Sequence, residues 1–229
     1  FIYLAYDGTH YHGWQIQPNG NTVQEELNKA LSTLCREEIS TTGAGRTDTG
    51  VHARMMTAHF DVNVPIGDGG QFVYRINKLL PKDIAVFCIK EVDDDFSARF
   101  SATERTYRYY ITKEKDPFTL DTVAYINFDL DVELMNKAAS ILFEYEDFTS
   151  CSKVNTDTKT NNCTITHAEW KKEGNLLVFT ISANRFLRNM VRAIVGTLID
   201  VGRKKITIAD FRKIIESKDR CKASTSAPA

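Results

Sequence analysis

The chain has 229 residues, 42% of them hydrophobic, which is enough for one large or two small globular domains with a real core. Its formal net charge is −1, so a globally basic nucleic-acid binder is excluded and any such surface must be a local patch. Five cysteines without a Cys-x-x-Cys argue against a disulfide scaffold or structural zinc, and no apolar run approaches the ~20 residues of a membrane span.

Phe1 to Tyr6 reads as a strand, and a chain opening on Phe1 without methionine is expected of a trimmed sequence. No signal peptide is visible, and reduced thiols point to the cytoplasm. An aromatic and histidine-rich loop follows, His10 to Gln17. Thr22-x-x-Glu25 has the spacing of a capping box, and Val23, Leu27, Ala30, Leu31 and Leu34 behind it repeat as one face of a helix. Strands are expected over 38–42 and 54–62, a short helix near 70–79, and a strand over 84–92. Asp93 to Ala102 reads as a crossing between an N-terminal domain, 1–102, and a C-terminal domain, 103–229.

In the second half, strands are expected over 104–112 and 122–128, and Leu134, Met135, Ala138, Ala139, Ile141 and Leu142 mark another helix. Residues 151–163 are polar and nearly core-free, which predicts a mobile loop. Residues 164–172 and 176–183 predict a hairpin, followed by a long helix over 184–200 and a shorter one from Thr207. Each half mixes strands and helices in a similar order, so a duplicated α+β plan is expected.

The run Gly43-Ala44-Gly45-Arg46-Thr47-Asp48-Thr49-Gly50-Val51-His52-Ala53 packs three glycines, one arginine and one carboxylate into eleven residues. Glycine belongs where backbone turns sharply or another group comes close. Arg46 and Asp48 lie two apart, so in extended chain they share a face, and a neighbouring guanidinium favours an ionised carboxylate. A loop ion pair explains this much without any chemistry. Asp48-Thr49-Gly50 also spells an aspartic-protease triplet, but that chemistry needs two carboxylates and no second copy exists here. A third glycine for a dinucleotide loop and the Gly-Lys-Ser/Thr of a P-loop are both lacking.

Two other constellations stand out. On the expected helix over 184–200, Arg185, Arg188, Asn189 and Arg192 fall opposite a broad apolar arc, and no acid occurs between Glu173 and Asp200. Unopposed guanidinium groups suit phosphate, although a solvated polar face explains them equally well. Arg105-Thr106-Tyr107-Arg108-Tyr109-Tyr110 interleaves aromatic and basic residues as a stacking platform would, yet tyrosine is also an ordinary strand residue. His10-x-His12 lacks partners with metal-ligand spacing, so no metal is expected. The same loop offers Tyr11, Trp14, Gln15 and Gln17 as RNA contacts.

The segments AYDGTHYHGWQIQPN, TVQEEL, GAGRTDTGVHA, ARFSATERTYRYYI and NRFLRNMVRAIVGTLIDVG occur in an order and spacing that resembles the TruA-type tRNA pseudouridine synthases, from Phe1 to Ala229. The resemblance implies α+β protomers of two similar halves. These would share one continuous, mostly antiparallel sheet, with helices on one face and a basic cleft between the halves. It implies a homodimer that converts uridine to pseudouridine in the tRNA anticodon stem-loop, at tRNA positions 38 to 40, without metal or cofactor. Asp48 then matches the catalytic aspartate, Arg46 its neighbour, Tyr107 the active-site tyrosine and Arg192 the helix arginine expected to point into the same cleft. Arg46 or Arg54 is expected to fill the space a flipped base leaves, and His52, Gln15, Arg185 and Arg188 to contact RNA.

The chain departs from the pattern twice. Asn161-Asn162-Cys163-Thr164-Ile165 stands where an arginine often precedes Thr-Ile, so loop contacts to RNA are expected to differ. The chain stops at Ser226-Ala227-Pro228-Ala229, where the family usually continues into a last strand. A non-catalytic RNA-binding module using the same arginines and tyrosines is the alternative function.

Overall fold

The structure is a computed structural model describing residues 1–153 and 160–229. Two compact units are present, Phe1–Ala102 and Thr103–Pro228, with Ala229 grouped with the first. Each holds one four-stranded sheet, and pairing is antiparallel except for one short parallel edge. No helix among the described residues is long and apolar enough to cross a membrane.

In the first unit, β1 (Ile2–Tyr6) buries Ile2, Leu4 and Tyr6 on one face, as the two-residue period of a strand dictates. It pairs with β3 (Ala53–His59) on one side and β4 (Ile84–Ile89) on the other. Two helices, α1 (Val23–Cys35) and α2 (Gly69–Leu79), bring Val23, Leu27, Leu31 and Ile76 to this face. The Thr22 side chain accepts from the Glu25 amide at 3.3 Å to cap α1. Asn77 exchanges two 2.8 Å bonds with the Val86 backbone and so fixes α2 on β4.

The strand expected over 38–42 shrinks to β2, Thr42–Gly43, which pairs with β3. The reason is competition for donors. The Ile39 amide donates to Ser32 Oγ at 2.8 Å and the Thr41 amide to Asn28 Oδ1 at 3.0 Å, so α1 takes the groups a ladder would need. The strand expected over 54–62 likewise ends at His59.

The second unit is built around β5 (Arg105–Thr112) and a hairpin of β7 (Ile165–Glu173) and β8 (Leu176–Ala183). Gly174 makes the turn with φ +62°, a conformation glycine adopts without penalty. The expected strand 122–128 reduces to β6, Ala124–Tyr125, because Thr122 and Val123 turn back to the Thr119 carbonyl. In both sheets the first strand lies beside the second arm of a hairpin whose first arm is the edge.

Between β6 and β7 lies α3 (Val132–Ser140), and α4 (Met190–Gly202) and α5 (Ile208–Glu216) follow β8. Most of α4 is buried, including Ile194, Val195, Leu198 and Val201. It begins six residues later than expected. Asn184 stays tied to Thr164 through its backbone and side chain, at 3.1 and 2.9 Å, and Asn189 adopts φ +65°, so 184–189 is an irregular connection. The mobile loop expected over 151–163 falls partly outside the described residues, and its ends belong to the core. Cys151 and Cys163 are buried, with Ser150 and Ser152 beside Cys151.

Candidate functional site

Asp48 sits half-buried on the connection from β2 to β3, and a second loop grips that connection on both sides of it. On the near side, the Trp14 amide donates to the Thr47 carbonyl at 3.3 Å, and Tyr6 and Thr47 share a hydroxyl hydrogen bond of 2.9 Å. On the far side, the Gly50 amide donates to the Tyr11 carbonyl at 3.3 Å, and His52 Nδ1 accepts from the Gly8 amide at 3.0 Å. The Val51 amide closes a turn onto the Asp48 carbonyl at 3.1 Å.

The glycines that make room belong mostly to this grip. A side chain at Gly8 would strike the Val51 carbonyl oxygen at 2.2 Å, and one at Gly13 the Thr47 carbonyl oxygen at 2.2 Å. Gly43 leaves space for the Trp14 indole, which a Cβ would meet at 2.5 Å. Gly50 holds φ +79°. Of the three glycines in the run Gly43 to Ala53, Gly45 alone faces open space.

His52 Nδ1 also lies 3.0 Å from Asp7 Oδ1. Burial works against the Asp7 carboxylate, but hydrogen bonds from the Thr9 hydroxyl and amide, together with His52, hold it below the usual range. The neutral imidazole accepts from Gly8, and the protonated ring donates to Asp7 instead. Tyr11 and Trp14, expected as RNA contacts, are 4% and 2% exposed, and Tyr11 donates to Asp83 at 2.7 Å. Both are core residues that anchor the loop. Gln15, Arg46 and Arg54 are exposed. No salt bridge joins Arg46 to Asp48 among the described residues.

In the second unit, strand alternation sorts the Arg/Tyr run onto two faces. Tyr107 and Tyr109 turn toward the core, where Tyr107 meets Phe186 edge-on with ring centroids 5.0 Å apart. Arg108 lies on the other face, bonded to Glu173 at 2.5 Å and stacked on Tyr110, so the run does not form one mixed platform. Burial pushes the Tyr109 phenol up to about 12 against the opposing pull of the Arg192 guanidinium, and its hydroxyl is buried without a hydrogen-bond partner among the described residues.

Arg192 lies on the first turn of α4, whereas Arg185 and Arg188 precede the helix and do not share its face. The segment Thr225–Ala227 lies against this turn. Arg192 Nε donates to the Ala227 carbonyl at 2.7 Å, and Asn189 Nδ2 and the Arg220 guanidinium hold Ser226 Oγ at 2.7 and 2.8 Å. Gly196 permits this approach, since a Cβ there would lie 2.1 Å from the Thr225 carbonyl oxygen. Nothing in the composition of this tail pointed to these contacts.

The profile of the family described as tRNA pseudouridine synthase matches residues 2–101 and 138–229, taking in both the Asp48 loop and α4. The chain belongs to that family. It is similar to the tRNA pseudouridine synthase A of Parabacteroides distasonis, 58% identical over all of this chain and 90% of the relative. The tRNA pseudouridine synthase A of Bacteroides thetaiotaomicron is 59% identical over all of this chain and 86% of its own length. For that of Acetivibrio thermocellus the identity is 40%, covering all of this chain and 94% of the relative. Membership in the TruA-type tRNA pseudouridine synthase family makes the chain an isomerase by class.

Proposed function

We propose that the chain isomerises uridine to pseudouridine in the anticodon stem-loop of tRNA, at positions 38 to 40, with Asp48 as the one catalytic residue and no cofactor. The observation that carries this is the grip on the Asp48 loop from both sides, which holds a half-buried carboxylate in place before any substrate arrives. A cytoplasmic homodimer is the working form in this scheme, and five free cysteines suit a reducing compartment.

The reaction breaks the N1–C1′ bond, turns the uracil, joins C5 to C1′, and moves a proton from C5 while N1 regains one. The base must first leave its stack, at a cost of a few kcal/mol. Arg46 or Arg54, both exposed on the same unit as Asp48, occupies the vacated space and contacts phosphate. Asp48 either attacks the sugar or base as a nucleophile or removes a sugar proton. Tyr107 stacks on the flipped uracil, and Arg192 stabilises the Asp48 carboxylate. His52, Gln15, Arg185 and Arg188 contribute RNA contacts. One carboxylate suffices, unlike a glycoside hydrolase with its acid pair.

Asp48→Ala is expected to abolish pseudouridine formation on unmodified tRNA, measured by nucleoside analysis, while tRNA binding largely survives. A variant that still modifies tRNA removes Asp48 from the mechanism. RNA binding by the unaltered chain without any modified base would favour a binding module.

A further inference from the structure

We propose that the groove between the C-terminal end of α1 and the side of α2 binds the phosphodiester backbone of RNA, at a place separate from the Asp48 loop. The proposal rests on the function above in taking tRNA as that RNA. Arg36, Arg75 and Lys78 line the groove together with Tyr74, Leu34 and Leu79. Arg75 and Lys78 are three apart on α2 and so share a face. Arg36 is the residue that ends α1, in a left-handed conformation with φ 59°.

These three cations line one groove, and among the described residues none of them carries a counter-charge there. Three lysines on other helix faces are matched locally: Lys29 with Glu25 and Glu26, Lys137 with Glu133, and Lys213 with Asp210. Among the described residues no salt bridge joins Arg36, Arg75 or Lys78 to a carboxylate. The two nearest acids in sequence are Glu37 and Glu38. Glu37 accepts from both the backbone and side-chain amides of Asn63, and Glu38 is exposed beyond it. No acid occurs in α2 itself.

Three converging cations repel one another in the free protein, and a polyanion relieves that repulsion. Guanidinium forks and an ammonium are the groups that hold phosphate oxygens. Tyr74, 64% exposed with the Lys78 ammonium 5.4 Å from its ring centre, adds a face on which a base or ribose can rest. The start of α1 is bonded to Gly13 and Trp14, the residues that grip Thr47. Its 13 residues therefore carry the groove about 20 Å from that grip. Such a separation corresponds to several base pairs, so the groove engages backbone outside the target loop.

The test is retention of full-length tRNA on filters across a salt series. It compares the unaltered chain with Arg75→Gln/Lys78→Gln and with the same pair plus Arg36→Asn, asparagine being chosen because it tolerates left-handed backbone. Lys171→Gln/Lys172→Gln, at two exposed positions on β7, removes the same charge as the first pair and serves as control. The triple variant is expected to bind more weakly at low salt, with a slope of log affinity on log salt shallower by about 2 to 3, from roughly 0.7–0.9 per phosphate contact. The control should keep the original slope. An unchanged slope in the triple variant, or an equal change in the control, overturns the proposal. Nucleoside analysis on the same samples reports the isomerase reaction separately, so its failure would count against the proposed function alone.

Discussion

Arg192 and Ala227 hold each other at both ends: the Ala227 amide donates to the Arg192 carbonyl at 2.9 Å, and Arg192 Nε donates to the Ala227 carbonyl at 2.7 Å. The second of these bonds orients the guanidinium through its Nε–H. The tail therefore acts on the proposed site through Arg192, with Ser226 and Gly196 as its supports.

Gly196→Ala is expected to force this tail away, since the added methyl would fall 2.1 Å from the Thr225 oxygen. The cost in stability should be about 1–3 kcal/mol. In the proposed mechanism Arg192 stabilises the reacting carboxylate, so misplacing it should lower kcat by up to about 100-fold with KM little changed. Steady-state kinetics beside thermal melts check this; a fall in melting temperature with normal kcat would assign the tail a structural role only.

Gly43→Ala and Gly45→Ala should behave oppositely. At Gly43 the methyl meets the Trp14 ring at 2.5 Å, and displacing that ring loosens the grip on Thr47, so a loss of about 1–3 kcal/mol and of activity is expected. At Gly45 no atom lies within 4 Å, and the melting temperature should stay within a degree or two of the original. Equal melting temperatures for the two variants would refute the packing role assigned to Trp14.

Much of this was legible in residues and spacing. Phe1 to Tyr6 read as the strand that became β1, and the helical spacing of Val23, Leu27 and Leu31 gave α1 with its buried face. Apolar spacing misled at Phe186 and Leu187, which have a helical period but pack from an irregular turn held by Asn184 and Asn189. Residues 38–41 look like a strand, yet Ser32 and Asn28 claim their amides, a competition no local pattern reveals. The glycines around Asp48 single it out in the sequence as a candidate. That Gly8 and Gly13 are the ones pressed against its loop could not be read there, because the contact joins segments some forty residues apart.

Acid should destabilise the chain. Hydrogen bonds from Thr9 and Thr149 outweigh burial to keep Asp7 and Asp147 low, the Leu134 amide and Lys204 do so for Asp131, and Arg212 does so for Glu144. Each folded value lies below the unfolded one, so these contributions are complete above about pH 5 and vanish as pH falls through the folded values. Melts from pH 7 to pH 2 should show a falling midpoint that begins near pH 5. A flat curve would deny these carboxylates a role in stability.

Thiol chemistry should divide the cysteines by burial. Burial pushes Cys151 and Cys163 up to about 11, which leaves little thiolate at neutral pH, whereas Cys221 is exposed. Iodoacetamide at pH 8 is expected to modify Cys221 first and the two buried thiols only after denaturation, read by peptide mass spectrometry. Equal rates at Cys163 and Cys221 in the native protein would contradict the packing described for that segment.

The order β2-β3-β1-β4 puts the earliest strand of the first unit in the middle of its sheet. During synthesis β1 leaves the ribosome with neither neighbour available, and its second edge stays open until Ile89 has emerged. The nascent chain thus carries an unsatisfied apolar strand across much of the first unit's translation, a window in which chaperone capture or aggregation competes with folding. Substitutions that slow the arrival or docking of β4 should therefore reduce soluble yield more than they reduce the stability of the finished protein.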